Sequence, residues 1–87
     1  MIAYKIYFWK RAENDFLKLP KDIQLRISKK LTIAQEDPFL FFVRFKGRQD
    51  YKLRAGDYRV IADINQNERT IEITRVGHRR NIYKDPY

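Results

Sequence analysis

Hydrophobic and polar positions alternate at the start of the chain and then change period. Residues 3–8, with the sequence AYKIYF, alternate loosely and are rich in aromatic and β-branched side chains, which predicts an opening strand. In the next segment Ala12, Phe16 and Leu19 recur at spacings of four and three. This spacing places them on one face of a helix over residues 11–19.

A second helix is expected after Pro20, because proline ends the first helix but is tolerated at the first turn of the next. One apolar stripe at helical spacing follows it: Ile23, Ile27, Leu31 and Ala34. Pro38 then ends this helix, since the residue before a proline is pushed towards extended geometry. The aromatic residues that come next are expected to form a loop that ends near Gly47.

The second half of the chain alternates with period two, which predicts three strands. The residues in phase are Tyr51 and Leu53, then Tyr58, Val60, Ala62 and Ile64, then Ile71 and Ile73. The segments AGD and NQNE between them predict hairpin turns. A strand, two helices and a three-strand meander together predict a two-layer α+β domain, with the helices on one face of a mostly antiparallel sheet. Residues 1–87 are expected to form this single domain.

Composition excludes several classes of function. The chain has no cysteine and one histidine, so no metal or other cofactor is expected, and a reducing compartment such as the cytoplasm is favoured. Its apolar runs are far shorter than the ~20 residues that span a membrane, so no membrane partner is expected. The net charge of +8 favours a polyanionic partner, either a nucleic acid or an acidic protein segment.

Three cations of the first predicted hairpin fall on one face of the sheet. If Tyr51 and Leu53 face the helices, Lys52 and Arg54 must face away from them, because side chains alternate along a strand. Arg59 is likewise out of phase with its apolar neighbours, so it shares the uncovered face with Lys52. A charged run of this kind is equally compatible with an ordinary solvated surface.

The C-terminal segment RVGHRRNIY could bring further groups to the same face. Arg79 and Tyr83 are four residues apart, so they would be neighbours on a short helical turn. If the tail folds over the uncovered face, both approach Lys52 and Arg59, and a phosphate could sit among the four side chains.

The segment KLRAGDYRVIADI, followed by ITRVGHRRNIY, resembles the RelE/ParE toxin superfamily, in particular its RelE-like members. The order of predicted elements is similar over nearly the whole chain, which implies a RelE-like, microbial-ribonuclease-like fold. The resemblance implies the toxin of a type II toxin–antitoxin system, a metal-independent endoribonuclease that cuts mRNA in the decoding site of the ribosome and inhibits translation. It also implies an acidic, RelB-like antitoxin that wraps the toxin with a helix in a hetero-oligomer.

By motif position, Lys52 and Arg59 match the family's phosphate-binding and catalytic cations, Arg79 matches the arginine after the terminal glycine, and Tyr83 matches the catalytic tyrosine. The general base stays open among Tyr83, Tyr87 and Lys52. Contacts with RNA are assigned to a further set of residues: Lys46, Arg48, Arg54, His78, Arg80 and Lys84.

Two other functions stay open at this point. One is a ParE-like inhibitor of DNA gyrase, and the other is a non-enzymatic basic module that binds RNA or the ribosome. The pair Arg79 and Tyr83 favours the nuclease, although one bacterial branch has a second lysine where this chain has Asp50. The aromatic residues at 39–45 suit either core packing or base stacking.

Overall fold

The fold is a five-stranded mixed sheet with two helices inserted after its first strand. It was analysed as a computed structural model, which describes residues 3–82. The elements are β1 (Lys5–Phe8), α1 (Lys10–Leu17), α2 (Lys21–Ala34), a 3₁₀ turn (Pro38–Leu40), β2 (Phe42–Arg44), β3 (Tyr51–Ala55), β4 (Tyr58–Asn65), β5 (Thr70–His78) and α3 (Arg79–Ile82). The strand order is β1-β5-β4-β3-β2, in which only β1 and β5 are parallel. The predicted α+β class is therefore confirmed.

The two predicted helices form where the apolar spacing placed them, within two residues at each end. Ala12 of α1 and Ile27 and Ala34 of α2 are fully buried, and Leu31 is nearly so. These side chains pack on the sheet face that carries Leu53, Val60 and Ile73. Within residues 3–82, no helix is long and apolar enough to cross a bilayer.

The prediction of a loop at residues 39–47 was wrong over much of this range. The structure has a 3₁₀ turn there, followed by the edge strand β2, which pairs antiparallel with β3. Phe42 is 2% exposed and packs in the core, while Val43 points to the other face and is 62% exposed. The strand was missed because the apolar run continues through both faces and so hides the alternation.

A bulge in β5 changes which face its later residues occupy. Ala62 pairs with Ile73, and Ile61 pairs with Arg75, so Thr74 is an extra residue in the ladder. The Thr74 hydroxyl donates to the Ile61 carbonyl at 3.3 Å. Beyond the bulge, Val76 returns to the core and Arg75 lies on the opposite face.

Helix α1 covers the edge of β5 that extends past β1. The Asp15 carboxylate, through Oδ2, accepts hydrogen bonds from the Val76 amide at 3.2 Å and from Arg75 Nε at 3.1 Å. The Arg75 side chain is only 10% exposed. Asp15 therefore provides an acceptor to the strand edge where no neighbouring strand does, and neutralises a largely buried guanidinium.

Candidate functional site

The cations of the β3–β4 hairpin share one sheet face, as predicted. Arg54 pairs directly with Arg59, and Lys52 is two residues before Arg54 on the same strand, so all three side chains project from the face opposite the helices. They line an open cavity of about 430 Å³ together with Phe41 and Val43. The cavity therefore combines a cationic side with an apolar side.

The turn of this hairpin holds two of the predicted catalytic arginines. Gly56 has a φ of +62°, a conformation that favours glycine. Arg59 Nη1 donates to the Gly56 carbonyl at 2.8 Å and to the Tyr58 carbonyl at 3.0 Å. The Arg79 amide donates to the Asp57 carbonyl at 2.8 Å, and its Nε lies 3.7 Å from Asp57 Oδ1. The turn thus brings Arg59 and Arg79 to the same end of the sheet.

His78 and Arg80 lie beside this turn but contribute differently. His78 pairs with Tyr58, on the face opposite Arg59, and the two rings meet edge to face with centroids 5.3 Å apart. Its Nδ1 accepts from the Arg80 amide at 3.1 Å, so the neutral imidazole carries its proton on Nε2. The Arg80 side chain is exposed on α3. A role for His78 in RNA contact stays a prediction, and from this position it would act from the rim of the sheet.

The Phe45 ring contacts Lys52 and one further cation, Arg48, near the cavity. The Arg48 guanidinium lies 4.1 Å from the centroid of the Phe45 ring, and Lys52 Nζ lies 5.0 Å from it. Arg48 also forms a 2.6 Å ion pair with Asp50. Lys46, by contrast, is exposed in the turn that follows β2.

The far end of the same sheet face is acidic. Asp63 pairs with Glu72 across the β4–β5 ladder, and Asp50 borders a small cavity with Asp63 and Trp9. Partial burial raises the pKa of the Asp63 carboxyl, and the charges of Asp50 and Glu72 raise it further. Trp9 Nε1 donates to Glu72 at 3.0 Å. The face therefore changes sign along the strands, from cationic at the hairpin to acidic at the opposite end.

The short helix α3 begins to cover the cationic end. Ile82 is 2% exposed, and its side chain lies 3.7 Å from the position that a Cβ on Gly77 would occupy. Gly77 pairs with Arg59, so Ile82 sits on the cationic face. The predicted site residues Tyr83 and Lys84, and the competing Tyr87, lie outside the described residues.

This arrangement can bind a phosphate and stabilise added negative charge, because cations converge on an open cavity that no carboxylate of residues 3–82 lines. Within residues 3–82, no group of three or more His, Cys, Asp or Glu side chains is placed to hold a metal ion. Sequence reasoning missed the Asp15–Arg75 pair and the ring contacts of Phe45. The change of apolar spacing from Ile71 and Ile73 to Val76 was the available signal for the first of these.

The fold is that of the RelE toxins. A solved toxin–antitoxin complex RelBE2 from Mycobacterium tuberculosis matches with a TM-score of 0.78 and 25% identity, over 88% of this chain and 99% of that chain. The RelE–RelB complex from Pyrococcus horikoshii matches with a TM-score of 0.77 and 26% identity, over 91% and 98% of the two chains. The intact Escherichia coli RelBE complex matches with a TM-score of 0.75 and 26% identity, over 87% of this chain and 96% of that chain. No curated protein matches the sequence.

Comparison of the sequence with models of protein families shows the family. A model described as the ParE toxin of type II toxin–antitoxin systems, parDE, matches residues 6–83. The chain therefore belongs to this family of toxins within the RelE/ParE superfamily, and the resemblance read from its motifs is confirmed.

Proposed function

We propose that this toxin is a ribosome-dependent endoribonuclease that cuts mRNA in the decoding site. The observation that carries the proposal is the cavity lined by Lys52, Arg54 and Arg59, with Arg79 anchored at the adjacent turn. Cations grouped in this way favour a phosphodiester and the extra charge that develops on it during cleavage. A solvated surface would not need an apolar wall beside them.

The proposed reaction is an internal transesterification. The 2′-oxygen of one nucleotide attacks the adjacent phosphorus, the bond from phosphorus to the 5′-oxygen breaks, and the products carry a 2′,3′-cyclic phosphate and a 5′-hydroxyl. The 2′-hydroxyl loses a proton to a base, and the 5′-oxygen gains a proton from an acid. Lys52, Tyr83 and Tyr87 are the candidates for the base.

The arginines stabilise the transition state in this proposal. Arg59 is oriented by its hydrogen bonds to the turn carbonyls, which limits the entropy lost when it binds the phosphate. Arg79 approaches from the start of α3, and Arg54 lies beside Arg59 on the neighbouring strand. Both would contact non-bridging oxygens, and an arginine would protonate the leaving oxygen, because the alternative donor His78 lies on the face opposite Arg59.

We further propose that an antitoxin helix docks on the opposite side of the molecule. An apolar groove of about 390 Å³ lies between β1, α1 and α2, lined in part by Ile6, Phe8, Phe16 and Leu31. Leu17 borders it and is 61% exposed. The RelE toxins from Pyrococcus horikoshii and Escherichia coli were solved as complexes with RelB, which supports a partner of this kind here. An amphipathic helix would bury its apolar face in such a groove.

The test is the effect of Arg59→Ala on programmed ribosomes. We expect the single-turnover rate of mRNA cleavage to fall by roughly 10²–10³-fold, as when one transition-state donor is removed, while ribosome affinity changes only a few-fold. Lys21→Ala, which removes one charge from an exposed position at the start of α2, is the matched control and should leave both values unchanged. If the protein only bound the ribosome, Arg59→Ala would weaken ribosome affinity and the inhibition of translation to the same degree.

A second candidate is inhibition of DNA gyrase, because the family model that matches the chain describes ParE toxins. The same purified protein should then block supercoiling and leave mRNA on ribosomes intact. The cationic cavity favours cleavage, since the resemblance assigns those cations to the nuclease branch. Blocked supercoiling with uncut mRNA would reverse that preference.

A further inference from the structure

Beside the three cations, the edge strand β2 and its flanks present apolar side chains to the same face. Val43 pairs with Lys52 across the β2–β3 ladder, so their side chains project to the same side. Phe41, two residues before Val43, lines the cavity with it. Phe45, two residues after, lies below the Lys52 ammonium. We call Phe41, Val43 and Phe45 the β2 row.

Core packing does not account for the middle of this row. Val43 is 62% exposed, although the neighbouring Phe42 on the other face is 2% exposed. In the protein without a ligand, most of the Val43 side chain is in contact with water and so contributes little hydrophobic stabilisation. Its position beside Lys52, at the wall of the cavity, is instead suited to a ligand that has an apolar surface and a negative charge.

We propose that the cavity between the β2 row and the hairpin cations is a subsite for an unpaired nucleobase of RNA. The base packs against Phe41 and Val43, and its phosphate lies on Lys52, Arg54 and Arg59. Neighbouring strands are about 4.8 Å apart, so the β2 row and the cations of β3 are near enough to contact the base and the phosphate of one nucleotide. The cavity volume of about 430 Å³ falls among those of small-ligand sites. This inference rests on the proposed function, because it names which part of the RNA the same face contacts.

Phe45 has a different task at the end of the row. Its ring attracts the Lys52 and Arg48 cations through its quadrupole, at 5.0 Å and 4.1 Å from the centroid. A ring in that place stabilises the cation without adding a negative charge to the cavity wall. The β2 row thus supplies both an apolar wall and a support for the cation next to it.

The test compares Val43→Thr with the wild type in RNA binding. The two side chains have nearly the same shape, and threonine replaces one methyl group with a hydroxyl. Binding is measured by fluorescence anisotropy with a short single-stranded RNA whose 2′-O-methyl groups prevent cleavage. It is then measured with a series of abasic versions of this RNA, each of which lacks the base at a different position. Ile33→Thr, at a 56% exposed position on α2, is the matched control.

We expect Val43→Thr to weaken binding of the intact RNA by roughly 3- to 10-fold, and Ile33→Thr to leave it unchanged. The weakening should disappear when one particular base is missing. The dependence of affinity on salt should stay the same, because phosphate contacts are unaffected.

Several results would overturn the inference. These are equal binding by the variant and the wild type, a loss that persists whichever base is missing, and no measurable RNA binding by the wild type. A variant that keeps RNA affinity but loses an antitoxin partner would assign the face to a protein. Because the anisotropy assay needs no cleavage, base-dependent binding by a protein that leaves mRNA uncut would contradict the proposed function alone. Normal cleavage by the wild type, together with unchanged RNA affinity of Val43→Thr, would contradict this inference alone.

Discussion

Asp63 lies between two other carboxylates on the sheet face, and its surroundings disfavour the ionised form of its side chain. It is placed directly opposite Glu72, and Asp50 borders the same small cavity. Partial burial is the largest cause of its raised pKa, followed by these two charges. A group with a raised pKa in the folded state contributes most stability when it is protonated, and that contribution is lost as pH rises through the folded pKa.

Asp63→Asn is therefore expected to stabilise the protein at neutral pH. The gain in unfolding free energy should be roughly 0.2–1 kcal/mol, the usual size of a cross-strand like-charge effect, and should shrink towards zero as pH falls below the ordinary carboxyl pKa of 3.8. Urea unfolding of both proteins measures it, with one series below the ordinary carboxyl pKa of 3.8 and one at about pH 7. A gain that does not depend on pH would contradict the electrostatic explanation.

At the scale of elements, the bulge in β5 and the position of α1 depend on each other. The bulge moves Arg75 to the face opposite the core, and α1 supplies Asp15 to that guanidinium and to the Val76 amide. Removal of Asp15 would leave a largely buried cation without this carboxylate and an edge amide without its acceptor. Such losses are costly because the desolvation of both groups is no longer offset.

Asp15→Ala should lower the unfolding free energy by about 2–4 kcal/mol. Glu13→Ala on the same helix is the control, because its ion pair with Lys10 is exposed and 3.7 Å long, and it should cost less than about 1 kcal/mol. Equilibrium urea unfolding gives both values. Similar losses for the two variants would mean that Asp15 matters only as a helix residue.

Elements were predictable where one period dominated a segment. Ile27, Leu31 and Ala34 repeat at helical spacing, and Tyr58 to Ile64 alternate, so α2 and β4 were found. β2 was not, because Phe42 and Val43 are both apolar although they lie on opposite faces of the sheet. The shared face of Lys52 and Arg59 followed from alternation alone, whereas the Asp15–Arg75 pair depends on a bulge and a contact 60 residues apart in sequence.

At the scale of the whole molecule, the chain carries a net charge of +8, and the charged residues of the sheet face that the helices leave open are unevenly distributed. Arg54 and Arg59 lie at the hairpin end, and Asp63 and Glu72 lie at the other. A polyanion is therefore attracted to one half of the face and repelled by the other half. Under the proposed function, this asymmetry would favour an RNA strand that lies over the cavity and the β2 row.

The chemistry of the cut ends tests the central claim most directly. Ribosomes programmed with a defined mRNA are incubated with the purified toxin, and the termini of the products are identified. Cleavage by the adjacent 2′-hydroxyl predicts a 2′,3′-cyclic phosphate on the upstream fragment and a 5′-hydroxyl on the downstream one, with cutting confined to the decoding site. Intact mRNA, or fragments with a 3′-hydroxyl and a 5′-phosphate, would contradict the account.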